Sequence, residues 1–466
     1  MQLTSTLEQT DRPMPLRKDD ESGPGGILLR VFQCLDRAGI RYCVLHGYEG
    51  FPQRTGSDVD CIIDSKTPSG QIYALLHHDR ARINAEIVRC RGYYIVVVGK
   101  NADGSPCFLT LDLNADCELD GVPFYAGTEV LASRRRYREF WIPAAHLEFG
   151  CYLVRTIAKA CLDDERARKL SRLYRQDAAR AQQQVARFWG PRNVDLIVAA
   201  AQSDDWHWVR QHLASLREEL RRRAVLRSPG RFVGNKYRGL IDRAKRVWQP
   251  DGLNVVLLGP DGAGKSTLID GLGPRLHGAF ARTTCRGFAP PLHRLFRRGN
   301  RPTDQPHALA RRSFLISVVR AAYWFVYCTF GYVGLHLALA RSTLVLNDRH
   351  FVDILVDRKR YRYGGPLWLL DVIWRVIPKP SLIILLDAPP QVLQARKQEV
   401  SFEETARQRN AYLSLARTLK NCHVVDASQP SECVARQVND IILRHLTVRI
   451  VRRFDLAKNG PSGPIN

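Results

Sequence analysis

The stretch GPDGAGKST, residues 259–267, constrains the fold of this chain more than any other part of its 466 residues. The apolar run before it, 253–258, is typical of a buried strand, and the segment after it has the pattern of a helix. A glycine-rich loop between a strand and a helix presents several backbone N–H groups and the positive end of the helix dipole. The sequence therefore predicts a binding site for the phosphates of a nucleoside triphosphate.

All fixed positions of the pattern G-x-x-x-x-G-K-[ST] are filled in this stretch. Lys265 is expected to reach the β and γ phosphates, and the Ser266 hydroxyl is expected to complete the shell of a magnesium ion. ATP and Mg²⁺ are therefore the predicted ligands. The residues predicted to bind the nucleotide are Gly259, Asp261, Gly262, Ala263, Gly264, Lys265, Ser266 and Thr267.

The composition indicates a globular protein with anionic partners. Its length predicts two or three domains, and 45% of the residues are hydrophobic while 25% are charged. The 70 Lys and Arg residues exceed the 46 Asp and Glu residues and give a net charge of +24, which suits nucleotides, phospholipid head groups or acidic glycans. Nucleic acid is disfavoured because no RNA-binding or DNA-binding signature accompanies the charge. The 12 cysteines show no metal-binding spacing, and the N-terminus shows no signal peptide, so a reduced, cytoplasmic protein is predicted.

Periodicity and turn signals divide the chain into five predicted segments. Residues 1–26 have no apolar period and are predicted to be a flexible leader. An α+β domain is predicted at 27–142, followed by an arginine-rich helical extension and linker at 143–250. An α/β domain with a parallel sheet is predicted at 251–446, and a basic tail at 447–466. Beyond the strand at 253–258, the strands predicted for the parallel sheet are 282–287, 342–347, 381–386 and 422–427.

Three aspartates in the first predicted domain form a candidate metal site. Asp58 and Asp60 are one residue apart in a strand-like run, so both side chains leave the same face of the strand. Asp112 lies in a second apolar run, and Gly47 would allow a triphosphate to approach the backbone. Three carboxylates on neighbouring strands can hold two divalent cations about 3.5 to 4 Å apart, which clamps a phosphoryl group during displacement. The alternatives are aspartates at a solvated strand end and a folded but inactive site.

The glycine turn, the Asp-x-Asp strand and the third acidic strand resemble the nucleotidyltransferase superfamily of DNA polymerase β. The resemblance covers residues 27–130 and implies that Asp58, Asp60 and Asp112 hold the metal ions of a nucleotidyl transfer. One position differs: Tyr48 follows Gly47, where that superfamily has Ser or Gly.

Asp348, Arg349 and His350 end a predicted strand of the parallel sheet, so they face the same crevice as the phosphate loop. With Asp261 before the middle glycine of the loop, they resemble the thymidylate kinase family of P-loop phosphotransferases over residues 253–445. The resemblance implies that Arg349 holds the acceptor phosphate and that Asp348 orients the acceptor and magnesium. It also implies a lid at 396–412, with phosphate ligands drawn from Arg396, Lys397, Arg407 and Arg409. The predicted catalytic residues are Lys265, Asp348, Arg349 and Arg396.

The segment after this motif, 351–365, lacks the Ser, Ala and Tyr pattern that lines the thymine pocket in that family. Asp353 and Asp357 are expected near the acceptor, where carboxylates suit hydroxyl groups. We therefore predict a kinase that moves the γ-phosphoryl group of ATP to a phosphate or hydroxyl acceptor. A glycan or lipid-linked glycan is the candidate acceptor, because proteins resembling this two-domain arrangement are associated with bacterial surface polysaccharide synthesis. The alternatives are a genuine dTMP kinase, a bifunctional enzyme, and a nucleotidyltransferase in which the P-loop domain is regulatory.

The stretch 321–340 contains no Lys, Arg, Asp or Glu. Its length is enough for a bilayer of about 30 Å, but a single crossing would separate the phosphate loop from Asp348, which must face the same crevice. The interpretations are a buried or domain-capping helix, a helix lying on a membrane surface and, disfavoured by this topology, a true membrane span. The second predicts peripheral association with the inner face of a membrane.

Overall fold

The computed structural model describes residues 23–287, 312–398 and 400–456. The chain divides into two compact units, of which unit 1 comprises Met1–Asp242 with Arg449–Asn466 and unit 2 comprises Arg243–Val448. Most of the predicted leader and the end of the predicted basic tail lie outside the described residues. The finer division into five segments stays a prediction.

Unit 1 is built on a five-stranded mixed sheet. Its strands are β1 (Tyr42–Val44), β2 (Val59–Ile63), β3 (Glu86–Arg91), β4 (Tyr94–Lys100) and β5 (Pro106–Asn114), in the order β1-β2-β5-β4-β3. The pair β2 and β5 is parallel, and the other pairs are antiparallel. Alternate residues of β5 are buried, as period-two apolar patterning requires, so Asp112 lies on the more open face of the sheet.

Two short hairpins and a set of helices complete the described part of unit 1. The hairpins are β6 (Asp116–Leu119) with β7 (Val122–Ala126), and β8 (Arg135–Tyr137) with β9 (Phe140–Ile142). The helices are α1 (Pro24–Arg37), α2 (Ser69–His78), α3 (Arg80–Ile83), α4 (Gly127–Ala132), α5 (Ala145–Ala158), α6 (Asp164–Gln176), α7 (Ala178–Ala186), α8 (Pro191–Ser203), α9 (His207–Gln211), α10 (Leu213–Arg227) and α11 (Pro229–Trp248), the last of which continues into unit 2.

Two helical regions of unit 1 can be compared with the predicted leader and with the predicted helical extension. Helix α1 begins within the predicted leader because Pro24 suits the first turn, where its missing N–H costs nothing. The predicted helical extension corresponds to α5 through α11. Helices α5 to α10 contribute buried residues to a second core that also includes Trp189 and Trp206, whereas α11 has no buried residue and packs the partly buried Phe232 against it.

Unit 2 contains the predicted parallel sheet. Its strands are β10 (Leu253–Leu258), β11 (Arg282–Gly287), β12 (Thr343–Asp348), β13 (Leu382–Asp387) and β14 (Cys422–Asp426), in the order β11-β12-β10-β13-β14. Every strand pair is parallel, so the α/β prediction for this half is confirmed. Strand β10 is buried along its whole length, as expected for a strand covered on both faces.

In the described part of unit 2, helices alternate with the strands of the parallel sheet along the chain. They are α12 (Lys265–Arg275), α13 (Phe314–Ala340), α14 (Asp353–Val356), α15 (Leu367–Val376), α16 (Pro390–Arg396), α17 (Phe402–Thr418) and α18 (Ser431–Phe454), of which the last ends in unit 1. The neighbouring strands β10 and β12 end at the phosphate loop and at Asp348, respectively. Both features therefore lie at the carboxyl edge of the sheet, where ligands bind in open α/β folds.

The apolar stretch 321–340 lies within the 27-residue helix α13. This helix is long and apolar enough to cross a membrane by length and composition, yet only 17% of its most apolar window is buried. Its buried residues lie on one side of the helix and include Ser317, Ala321 and Trp324. The helix therefore caps unit 2 with one face and is not enclosed by the described residues.

Candidate functional site

The phosphate loop connects β10 to α12 in a tight turn. Gly259, Gly262 and Gly264 have φ angles of 144°, 84° and 86°, a region that side chains other than glycine rarely adopt. A Cβ atom at Gly259 would lie 2.6 Å from the backbone oxygen of Leu386, and one at Gly262 would lie 2.7 Å from that of Leu393. The loop thus packs closely on β13 and α16, and the N-terminal N–H groups of α12 lie beside it.

Lys265 begins α12 and is buried, with 7% of its surface exposed. Its Nζ donates hydrogen bonds to the backbone oxygens of Gly259 and Pro260, at 2.7 and 2.8 Å. Burial, with the nearby positive charge of Arg349, lowers the pKa of Lys265 to about 8. The nearby carboxylates therefore do not fully compensate the positive charge of this buried amine.

This pKa predicts a pH dependence of nucleotide affinity. Below pH 8 the free protein carries a charged Lys265. Above it the amine is neutral and must take up a proton when the anionic triphosphate binds. We expect the Kd for ATP to rise from pH 8 to pH 9, approaching about tenfold per pH unit. Calorimetric titration at constant ionic strength measures this rise.

The matched control for this prediction is Lys265→Arg, since a guanidinium stays charged over the same range. Its Kd for ATP should change little between pH 7 and pH 9. A wild-type affinity that is constant over that range would contradict the prediction.

Asp261, in the middle of the loop, holds two guanidinium groups. Its Oδ1 accepts a hydrogen bond from Arg349 Nη2 at 2.5 Å, and its Oδ2 accepts one from Arg360 Nη1 at 2.6 Å. Arg349 has a φ of 78°, a left-handed conformation that costs free energy outside glycine and is found at ligand-binding positions. Arg360 was not among the predicted site residues, although the basic run 358–362 could have drawn attention to it.

A cavity of about 400 Å³ opens beside the loop. The side chains that carry charge in its lining are Lys265, Arg349, Arg360, Arg396, Lys397, Asp261 and Asp348. Cations outnumber carboxylates in this set, so the cavity has the charge expected of a site for phosphate groups, and we call it the cationic cavity. Of the other predicted nucleotide-binding residues, the lining includes Gly262, Gly264, Ser266 and Thr267.

A second cavity, of about 350 Å³, is lined by Ala263, Gly264 and Thr267 of the phosphate loop region. Arg396 lines both cavities, and its Nη1 donates a hydrogen bond to the backbone oxygen of Ala427 at 2.8 Å. The second cavity also has apolar side chains from the start of α18 in its lining. A less charged cavity beside a cationic one suits the nucleoside part of a nucleotide.

Ser266 and Asp348 are the residues of the cationic cavity whose oxygen atoms would suit a divalent cation. Asp348 Oδ1 is buried and makes no hydrogen bond within the part of the chain that the structure describes. A buried oxygen without a partner is costly, and a bound ion would remove that cost. Ser266 is exposed in the first turn of α12, and both residues line the cationic cavity. Because Mg²⁺ prefers hydroxyl and carboxylate oxygens, these residues fit a magnesium ion.

Only part of the predicted lid reaches the cavity. Arg407 forms an ion pair with Glu404 at 2.6 Å, and Arg409 bonds both oxygens of Asp387 at 2.7 and 2.8 Å. Neither arginine lines the cationic cavity, whereas the other two predicted lid cations, Arg396 and Lys397, do.

The two aspartates expected near the acceptor are buried within unit 2 and do not line the cationic cavity. Asp353 accepts hydrogen bonds from Tyr412 Oη at 2.7 Å and from the backbone N–H of His350 at 2.6 Å. Asp357 accepts one from the backbone N–H of Arg360 at 3.0 Å. Both carboxylates therefore order the chain that carries Arg349 and Arg360.

The three aspartates predicted as metal ligands come together in unit 1. One oxygen from each of Asp58, Asp60 and Asp112 lies within 4.8 Å of the other two. Asp60 and Asp112 are register partners on β2 and β5, and Asp58 directly precedes β2. A cavity of about 280 Å³ is lined by all three, with His46 and Arg155.

The negative charge of this cluster is only partly offset. Arg155 Nη2 lies 3.1 Å from Asp60 Oδ2, and His46 Nε2 lies 3.3 Å from it. Burial lowers the pKa of His46 to about 3, so this imidazole is neutral at neutral pH. Burial and the charge of Asp60 raise the pKa of Asp112. A divalent cation would relieve this repulsion, so the residues fit such an ion.

Tyr48 turns away from this cluster. Its ring is buried, and its Oη donates a hydrogen bond to Glu148 Oε2 at 2.7 Å. Gly47 has a φ of 74° and open space where a Cβ would lie. The glycine turn is therefore present, but the residue after it supplies no hydroxyl group to the cavity.

The thymidylate kinase of Xanthomonas euvesicatoria pv. vesicatoria (strain 85-10) is 29% identical over 216 residues, covering 43% of this chain and 88% of that protein. The chain is homologous to thymidylate kinases over about 43% of its length. The thymidylate kinase of Oenococcus oeni (strain ATCC BAA-331 / PSU-1) is 28% identical over 218 residues, covering 42% of this chain and 97% of that protein.

A solved structure of thymidylate kinase from Candida albicans covers 42% of this chain and 93% of its own, with 15% sequence identity and a TM-score of 0.32. No protein-family model matches the chain. The homology supports an ATP-dependent, nucleotide-kinase-like function. The resemblance of residues 27–130 to nucleotidyltransferases stays a prediction.

Proposed function

We propose that this protein is a kinase that transfers the γ-phosphoryl group of ATP to an acceptor bound in the cationic cavity of unit 2. The observation that carries the proposal is the convergence of Lys265, Arg349, Arg360 and Arg396 on one cavity beside a phosphate loop. Phosphoryl transfer depends mainly on positioning and on offsetting charge at the transferred group. Cations drawn from separate segments of the sheet edge meet both needs.

The roles of these residues follow from their contacts. When a nucleotide binds, Lys265 Nζ would exchange its hydrogen bonds to the backbone oxygens of Gly259 and Pro260 for contacts with the β and γ phosphates. Asp261 keeps Arg349 and Arg360 oriented toward the site, so little ordering is needed when an anionic acceptor arrives. Arg396, fixed by its bond to Ala427, lies between the nucleoside cavity and the phosphates. Mg²⁺, held by Ser266 and Asp348, would offset the charge of the phosphate oxygens.

The proposed acceptor is a phosphate or hydroxyl group of a glycan or lipid-linked glycan, as in surface polysaccharide synthesis. The packing of the aromatic residues after the Asp-Arg-His motif supports an acceptor other than a nucleobase. Phe351, Tyr361 and Tyr363 pack around Trp324 in an apolar cluster of unit 2, where they are not available to stack on a base. The homology to thymidylate kinases favours a nucleotide instead, so dTMP is the alternative acceptor.

Steady-state kinetics with dTMP separate these acceptors. We expect ADP formation with dTMP to be weak, because the aromatic residues described after the Asp-Arg-His motif pack inside unit 2, and a base that gains few polar and stacking contacts adds little to binding. The matched comparison is the same protein with phosphorylated sugars and with lipid-linked glycans. A kcat/KM for dTMP within the usual enzyme range of about 10⁴ to 10⁸ M⁻¹s⁻¹ would establish a genuine dTMP kinase.

A second candidate function is nucleotidyl transfer at the aspartate cluster of unit 1, with the phosphate site regulatory or separately active. The close approach of Asp58, Asp60 and Asp112 oxygens beside a cavity favours it. Carboxylates in this arrangement hold divalent cations that align a triphosphate for attack on its α-phosphate. The products distinguish the two chemistries, since nucleotidyl transfer releases pyrophosphate and phosphoryl transfer releases ADP.

The double variant Asp58→Asn and Asp60→Asn tests this second candidate. It should remove pyrophosphate release while leaving ADP formation largely unchanged, because it takes away the anionic metal ligands of unit 1 only. Pyrophosphate can be followed from ATP labelled on the γ-phosphate, and ADP can be followed from ATP labelled on the α-phosphate. The control is Asp195→Asn, an exposed position of α8. Pyrophosphate release that survives in the double variant would exclude the cluster as its source.

A further inference from the structure

The outward side of α13 carries a continuous apolar stripe. Its exposed apolar residues recur every three or four positions and therefore share one face of the helix. Exposure reaches 68% for Val319 and 71% for Phe330. The members of the stripe are Leu315, Val319, Ala322, Val326, Phe330, Val333 and Leu337. An apolar helix face of this length is unusual on a protein that meets only water.

Two neighbouring segments of unit 2 extend the stripe. Helix α15 packs beside α13 in a shared core and exposes Leu367, Trp368, Val372 and Val376. The end of α11 also lies against α13, because His336 makes a 2.5 Å hydrogen bond to the backbone oxygen of Val247. Trp248, the next residue, is 84% exposed. We call the α13 stripe and these exposed residues of α15 and α11 the apolar face.

The opposite side of α13 is tied into unit 2 along its length. Near its N-terminus, Ser317 Oγ accepts a hydrogen bond from the backbone N–H of Gly364 at 2.9 Å. In its middle, Trp324 packs on Phe351 and Tyr363. Its last residues are buried next to β12. Crossing a bilayer would break all of these contacts, so α13 can lie on a membrane but cannot span one.

Exposed basic side chains border the apolar face. Three precede Trp248 in α11, two lie at the ends of α13 and one lies on α15; they are Arg243, Lys245, Arg246, Arg312, Arg341 and Arg375. The exposed acidic residue on α15 is Asp371. A face with apolar residues in its centre, tryptophans toward its edge and cations around it matches the surface of an anionic bilayer in both polarity and charge.

We propose that the apolar face docks unit 2 onto the surface of an anionic lipid bilayer. A second copy of the chain fits less well, because a two-fold contact would bring the same basic border against itself. A lipid surface offers the opposite charge to every one of these cations at once. The proposal does not depend on the kinase activity, since it rests only on the outward side of the helices.

The test is cosedimentation of the full-length protein with vesicles of phosphatidylcholine and phosphatidylglycerol in a ratio of about 7:3. The double variant Val319→Glu and Phe330→Glu should bind these vesicles at least about tenfold more weakly, because two charges would enter the apolar contact. The control is Leu226→Glu on α10, since Leu226 is also 68% exposed but belongs to unit 1. Its binding should equal that of the wild type. Raising the salt concentration, or omitting the phosphatidylglycerol, should weaken wild-type binding as the electrostatic contribution is screened or removed.

Two results would overturn the proposal. One is a wild-type protein that does not sediment with the anionic vesicles. The other is a wild-type dimer in light scattering that the double variant converts to a monomer while vesicle binding is unchanged, which would assign the apolar face to a second copy. ATP affinity equal to that of the wild type shows that the double variant is folded.

Discussion

Lys265→Ala is expected to lower the rate of ADP formation by about 10³-fold, which corresponds to roughly 4 kcal/mol of lost transition-state stabilisation. Lys265 is the buried cation of the phosphate loop, and its amine is already oriented there by two backbone oxygens. Removing it leaves the transferred group without one of the fixed positive charges of the cavity. A coupled assay for ADP measures the effect under saturating ATP and acceptor.

The fold should survive this substitution, because the lost hydrogen bonds end at oxygens of a loop beside an open cavity. Thermal unfolding followed by circular dichroism checks this point. Lys420→Ala, at an exposed position after α17, is the matched control and should retain wild-type activity. An unchanged rate of ADP formation in a folded Lys265→Ala protein would refute the kinase assignment.

Arg349→Ala is expected to lower kcat/KM for the acceptor by about 10²- to 10³-fold, with a much smaller change in the Kd for ATP. Arg349 lies at the end of β12 in a left-handed conformation and is held toward the cavity by Asp261. The substitution therefore removes a preorganised guanidinium from the acceptor side of the site. Initial rates over a range of acceptor concentrations, together with ATP titration, separate the two effects.

Two further variants sharpen this prediction. Arg349→Lys keeps the charge but loses the planar pair of donors, so it should recover only part of the activity. Arg417→Ala, on the exposed side of α17, removes an arginine outside the cavity and should behave as the wild type. Equal losses in ATP affinity and in acceptor kcat/KM would instead place Arg349 on the ATP side of the site.

The sequence by itself predicted those features whose cause is local. The phosphate loop is determined within nine residues, since glycines at fixed spacing, a lysine and a hydroxyl group define both its conformation and its chemistry. The five parallel strands were also predicted. For β10, β12 and β13 the reason is local, because a short apolar run that is buried on both faces has few other structures available. Strands β11 and β14 are mostly exposed at the two edges of the sheet, where pairing with a neighbouring strand orders them. The clustering of Asp58, Asp60 and Asp112 followed from strand alternation and needed only the pairing of β2 with β5.

Tertiary structure decided where side chains from distant segments point. Arg360 joins Asp261 although the two are 99 positions apart, and no local pattern marks that contact. Arg407 and Arg409 carry the charge expected of a lid, but each is paired with a carboxylate outside the cavity. Such choices depend on which partners packing brings within hydrogen-bond reach.

Helix α13 shows most clearly the difference between what the sequence determines and what the tertiary structure determines. Composition predicted that the stretch 321–340, which lies within its 27 residues, is an apolar helix, but such a helix can be enclosed, cap a domain or meet a lipid surface. Only its packing shows that Ser317 and Trp324 face unit 2 while Val319 and Phe330 face outward. The physical reason is that hydrophobic burial is non-directional: the sequence determines how much apolar surface must be covered, and the tertiary contacts determine which side of the helix they cover.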